Sequence, residues 1–287
     1  MAKVVGVHGI AQQHRGGPQL TKQWLLDVQG GLEVAGFRST ADALGASDLR
    51  VAFYGDLFRE PGTMDTDPPA YAADDLDEDD VELLEALYDQ AVGQQPELGA
   101  TRDAMAGIRP TVREMLDRVL RSRSLGGIAE HLLIGDFKQV RAYLRDPARR
   151  EQVLARLARE LTADTRIVIG HSLGSVIAYE LCCQPQAGNI ELLVTLGSPL
   201  GAKPIFEHLT PRPDDGVGAW PQRLARWVNV ADPRDIVALR PQLAPLFAAG
   251  PNDARVVDRS VDNGDHPHDI TPYLNSGQTG EALGTAI

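Results

Sequence analysis

Two rhythms run along this chain, short apolar runs closed by glycine and apolar positions at helical spacing. Residues 3–7 (Lys-Val-Val-Gly-Val) form a β-branched run ending at His8-Gly9, which predicts a buried strand. Leu20, Trp24, Leu25, Val28 and Leu32 then recur at helical spacing and predict a helix over 19–35, stopped by Gly36. Residues 49–54 read as a second strand, closed by Gly55-Asp56. From 56 to 145 no strand pattern occurs; a Pro/Asp-rich loop over 60–80 precedes helical patterns near 80–92, 101–123 and 127–145. A helix over 148–162 leads back to alternation: strand 166–169, helix 172–183, strand 190–196, a Pro/Gly/Asp-rich loop over 202–222, and strand 226–230. The tail, 258–287, carries a polar turn at Asn263-Gly264, and its last dozen residues, rich in Gly, Ser and Thr, read as a loose terminus. Strands alternating with helices predict an α/β fold, a mostly parallel sheet covered on both faces. Its core would comprise 1–55 and 146–287, with 56–145 as a helical insertion.

Composition narrows the class. A chain of 287 residues, 43% hydrophobic, can bury a large core and is not a small disulfide scaffold. A net charge of −12 argues against nucleic acid or an anionic membrane surface as a partner. The two cysteines, Cys182 and Cys183, are adjacent, a spacing that disfavours a disulfide and fits buried thiols in a reducing compartment. The apolar run at the N-terminus is too short for a signal peptide, and no stretch reaches the ~18 apolar residues of a membrane span. A cytoplasmic protein without stable membrane anchoring is therefore expected. The acidic run 74–80 reads as a solvated, dipole-favoured helix start and not as a cation site. No His/Cys/Asp cluster has metal-ligand spacing and no Gly-rich loop matches a phosphate motif, so neither metal nor cofactor is expected.

The chemistry is concentrated at Gly170-His171-Ser172-Leu173-Gly174, a Gly-x-Ser-x-Gly placed between a predicted strand and a predicted helix. A serine on so sharp a turn projects its hydroxyl above the strand end, and glycines on either side avoid clashes where strand and helix converge. The helix N-terminus also aims free N–H groups at developing negative charge. Residues 168–174 resemble the nucleophile elbow of the α/β-hydrolase superfamily, in its lipase and esterase branch, with Ser172 as nucleophile. In that branch His171 supports the elbow and the base comes from elsewhere. Val4-Val5-Gly6-Val7-His8-Gly9-Ile10 resembles the family's His-Gly segment. That resemblance implies an oxyanion hole formed by the backbone N–H groups of Ile10 and Leu173.

The superfamily's order is Ser, then Asp or Glu, then His. Asp235, in Asp235-Ile236-Val237-Ala238, resembles the acid-bearing stretch after a late strand in lipases. Asp232 competes, although Asp-Pro pairs often only start turns. His268, five residues before Tyr273, resembles the catalytic-histidine loop of lipase-like relatives; His266, before Pro267, is its competitor. His14 reads as a loop residue beside the oxyanion segment. Ser198, in Gly197-Ser198-Pro199-Leu200-Gly201, lacks an elbow and reads as shaping the pocket floor.

The chain departs from the family's larger members in reaching His-Gly by residue 8, without two preceding strands, and in the block 56–145. That block implies a cap or lid. Its apolar positions (83, 84, 87, 105, 108, 115, 116, 119 and 120) are expected to pack on the core more than to line an acyl pocket. The expected function is hydrolysis of a carboxylic ester of a small-molecule acyl substrate through an acyl-enzyme, with Ser172, Asp235 and His268 as the triad. A thioesterase or peptidase would use the same triad, and a partner-binding protein on this fold without catalysis is the alternative from a different class.

Overall fold

The computed structural model describes residues 2–12, 15–59, 71–99, 110–125 and 128–287. Within them the chain runs β1 (Val4–Val7), α1 (Gly17–Val34), α2 (Arg38–Ala43) and β2 (Leu49–Ala52). The insertion contributes α3 (Glu78–Gln94), α4 (Val112–Leu120) and α5 (Glu130–Arg145), followed by α6 (Pro147–Ala158). Then come β3 (Ile167–His171), α7 (Leu173–Cys182), β4 (Leu192–Leu196), α8 (Lys203–Phe206), β5 (Arg226–Ala231), β6 (Val257–Ser260), α9 (Ile270–Leu274) and α10 (Gly277–Gly284). The strands form one six-stranded sheet in the order β2-β1-β3-β4-β5-β6, and every neighbouring pair is parallel.

The period of two along each strand sorts side chains onto the two faces of the sheet. Val4, Ile167, Ile169, Val194 and Val230 join a core with Leu20, Trp24, Val28 and Leu32 of α1, and with α2, α9 and α10. Val5, Val7, Val168, Leu193 and Trp227 join the larger core on the other face, with α6 and α7. Both faces are therefore dry, which is why the central strands read as unbroken apolar runs.

The insertion belongs to that larger core. Leu83, Leu84 and Leu87 of α3, Met115, Leu116 and Val119 of α4, and Leu133, Ile134, Phe137 and Val140 of α5 are buried in one cluster with the sheet. Positions 105 and 108 lie outside the described residues. The acidic run caps α3: Asp77 accepts from the Asp80 N–H, and Arg141 of α5 pairs with both Asp77 and Asp80. Tyr143 of α5 donates to Glu180 of α7 (2.5 Å), and the Thr210 N–H donates to the same carboxylate (2.8 Å), tying the insertion to the helix that follows Ser172.

Two elements differ from the sequence-based expectation at the C-terminal end. β6 is an edge strand with an exposed Val257, so it lacks the apolar alternation that marks the others. The last dozen residues do not form a loose terminus. Ser276 caps α10, whose Leu283 and Thr279 are fully buried. Its glycines serve close packing: a Cβ on Gly280 would stand 1.9 Å from the Gly31 carbonyl oxygen of α1. Among the described residues no helix is long and apolar enough to cross a membrane.

Candidate active site

Above the carboxyl ends of β1 and β3 the chain leaves neighbouring strands in opposite directions. β1 leads to α1 on one face and β3 to α7 on the other, the arrangement that opens a crevice in a parallel sheet. Ser172 stands there, between the last residue of β3 and the first of α7.

Its backbone lies at φ 53°, ψ −132°, a conformation costing on the order of 1–3 kcal/mol for a residue with a side chain. The flanking glycines make it sterically feasible. A Cβ on Gly170 would fall 2.5 Å from the Gly174 carbonyl oxygen, and one on Gly174 would fall 2.3 Å from the Val7 and His8 carbonyl oxygens. Ser175 Oγ locks the turn by donating to the Ser172 carbonyl (2.6 Å) and lies 2.6 Å from Ser198 Oγ. Ser198 is thus a brace beneath the elbow, and Pro199 takes the place on the cavity wall expected of it.

Ser172 Oγ lies 3.1 Å from His268 Nε2, and His268 Nδ1 lies 2.8 Å from Asp235 Oδ2. With a carboxylate as its partner, Nδ1 carries the proton and Nε2 offers its lone pair to the hydroxyl. Asp235 Oδ2 also accepts from Tyr273 OH (2.9 Å), and Oδ1 from the Val237 N–H (2.9 Å). The two competitors are placed elsewhere. Asp232 accepts from the N–H groups of Arg234 and Asn263 and pairs with the Arg234 guanidinium, holding its own loop together. His266 is exposed and does not line the cavity.

Burial pushes the His268 pKa down, but the charge and hydrogen bond of Asp235, with Asp269 and Asp136 nearby, outweigh it and leave the pKa above the ordinary imidazole value. The other two histidines of the site are held neutral. Burial and the neighbouring His268 keep His171 far below its usual range, and its Nε2–H donates to the His268 carbonyl (2.9 Å). Burial lowers His8 to about 4. Its ring stacks on Tyr54 at 4.1 Å, and Nε2 accepts from the Tyr54 N–H (3.2 Å) while Tyr54 OH donates to the His8 carbonyl (2.6 Å). His8 therefore shapes the loop that carries Ile10. The N–H groups of Ile10 and Leu173 have no backbone partner among the described residues, and both residues line the cavity. His14 lies outside the described residues.

The cavity measures about 560 Å³, within the range of small-molecule sites. Leu83, Leu87, Leu133, Phe137 and Val140 of the insertion form an apolar wall. The insertion also grips the loop that carries Asp235: Ser124 Oγ donates to the Arg234 carbonyl (2.6 Å) and accepts from the Ile236 N–H (3.3 Å), and Gln94 donates to the Pro233 carbonyl (2.8 Å). Three contacts are not legible in the sequence: Tyr273 holding Asp235, Ser124 holding the loop around Asp235, and Asp136 on the cavity wall. Only Asp136 left a trace, an acidic residue on the same helical face as Leu133, Phe137 and Val140. No protein-family model matches the chain, and no curated protein matches it significantly.

Proposed function

We propose that this protein is a serine hydrolase of the α/β-hydrolase type, cleaving a carboxylic ester through an acyl-enzyme. One observation carries the reading: a serine on a strained strand–helix turn has an imidazole nitrogen 3.1 Å from its hydroxyl, and that imidazole is held by a carboxylate at 2.8 Å. Ser172 Oγ attacks the ester carbonyl as His268 Nε2 takes its proton, and Asp235 stabilises the imidazolium that forms. The N–H groups of Ile10 and Leu173 donate to the developing oxyanion, each donor being worth on the order of 10²–10³ in rate. The tetrahedral adduct expels the alcohol, which takes the proton from His268. Water, deprotonated by the same nitrogen, then attacks the acyl-serine carbonyl; the bond to Ser172 Oγ breaks, Oγ takes the proton back from His268, and the acid is released. No step in this sequence calls for a metal or cofactor.

A thioester or peptide carbonyl would meet the same groups, so a panel of leaving groups ranks the three. The acidic chain and the two free thiols fit a soluble cytoplasmic enzyme acting on a small acyl compound, not on nucleic acid or from a membrane anchor. Fluorophosphonate labelling of the purified protein tests the central claim. Labelling should occur in the wild type, vanish in Ser172→Ala, fall by on the order of 10³ or more in His268→Ala, and persist in His266→Ala. An unlabelled wild type, or labelling that survives Ser172→Ala, would favour a binding protein without catalysis.

A further inference from the structure

Asp136 occupies the cavity-facing side of α5, one turn after Leu133 and one before Val140. Phe137 beside it, and Leu83 and Leu87 of α3, continue the same apolar wall. Among the described residues its carboxylate makes no hydrogen bond and no ion pair. The carboxylates at the start of α3 are treated differently, since Asp77 and Asp80 are each paired with Arg141. A half-buried carboxylate among aliphatic groups is costly without a partner, and burial pushes this one up to about 7 although His268 pulls it back. Packing alone would favour leucine here. A departure of this kind from local consistency is characteristic of residues kept for a ligand.

We propose that Asp136 is a recognition point for a cationic group, so that the substrate is an ester bearing an ammonium close to its scissile carbonyl; this rests on the hydrolase reading above. A wholly apolar ligand filling the cavity would strip water from Asp136 and offer nothing in return. An ammonium replaces that water with an ion pair in a site of low dielectric, where the attraction is strong. Of the other titratable groups lining the cavity among the described residues, His8 and His171 are held neutral, and the exposed Arg15 is offset by the exposed Asp269. His268, whose imidazolium would balance Asp136, is neutral in the form that takes the Ser172 proton, so the balance is negative in the reactive state. On the packed face between α3 and α5, Lys138 and Arg141 are engaged with Asp75, Asp77 and Asp80 and turn away from the cavity.

Two pairs of esters test this. In one pair a trimethylammonium group sits on the alcohol, in the other on the acyl chain, and each has a neutral isostere with carbon in place of nitrogen. Within a pair the ratio of kcat/KM cancels the titration of His268, which both members share. The wild type should prefer the cationic member of at least one pair by about tenfold. That preference should grow as pH rises through about 7, where Asp136 ionises, an observation requiring no variant. Asp136→Asn and Asp136→Leu should each bring the ratio near one. A ratio near or below one in both pairs above neutral pH overturns the inference, as does a preference that both variants retain. Failure of the wild type to turn over any of the four esters, together with absence of fluorophosphonate labelling, overturns the hydrolase reading and this inference with it.

Discussion

His268 is pulled in two directions, and the outcome has a signature in solution. Burial favours its neutral form, while the Asp235 carboxylate favours the charged one and prevails. In the proposed mechanism only neutral His268 can accept the Ser172 proton. The acid limb of kcat/KM for an uncharged ester should therefore fall above pH ~6.5, the ordinary imidazole value. Asp235→Asn keeps the shape but removes the charge, so the limb should move to lower pH while kcat drops by on the order of 10³–10⁴. Asp232→Asn removes a loop tie that does not reach the imidazole and should leave the limb where it is. A limb unmoved by Asp235→Asn would mean that Asp235 does not govern the base. The choice between Asp232 and Asp235 was open in the sequence because both follow the same strand within four positions of its end. It is decided by which carboxylate points back over the sheet toward residue 268, a matter of loop path that no local pattern encodes.

At the level of elements, the insertion does more than cover the site. Its segment after α4 places Ser124 Oγ between the Arg234 carbonyl and the Ile236 N–H, on either side of Asp235. Gln94, at the end of α3, holds the Pro233 carbonyl of the same loop. Loss of one such hydrogen bond is worth about 1 kcal/mol. Ser124→Ala should accordingly lower kcat/KM by roughly fivefold, with KM little changed and the melting temperature within a few degrees of wild type. Restoration of activity by Ser124→Thr, which returns a hydroxyl, would separate positioning from general loosening. If Ser124→Ala left the rate intact, the insertion would be a wall of the cavity only. The helices themselves were legible, because Leu83, Leu84 and Leu87, or Leu133, Phe137 and Val140, recur at helical spacing. Periodicity marks the face that is buried but not what it is buried against. For that reason the wall of the cavity and the larger sheet core were indistinguishable until these residues were seen to belong to one cluster.

Across the whole molecule, stability and the site are joined through the ends of the chain. α10 lies on α1 with Leu283 fully buried, and α9 carries Tyr273, whose hydroxyl holds Asp235. Leu283→Ala should cost about 3 kcal/mol in urea denaturation; a loss under half of that would mean that the terminus contributes little to folding. The Gly-rich composition of this segment suggested looseness because glycine is poor in isolated helices. Against α1 the missing side chains are what allow Gly280 and Gly31 to touch. The elbow is the opposite case. Its requirements lie within five consecutive residues, where strand, turn and helix sterics act locally, so Gly170-His171-Ser172-Leu173-Gly174 could be read directly. The alternation of strand and helix likewise follows from patterns a few residues long, and with it the α/β class. The meeting of Ser172 with His268, 96 residues away, and of His268 with Asp235, 33 residues away, depends on how loops return over the sheet. So does the exposure of an unpaired Asp136 to the same cavity. Local sterics and periodicity are written in short stretches of sequence, whereas the partner a side chain finds across the fold is decided only when the layers have packed.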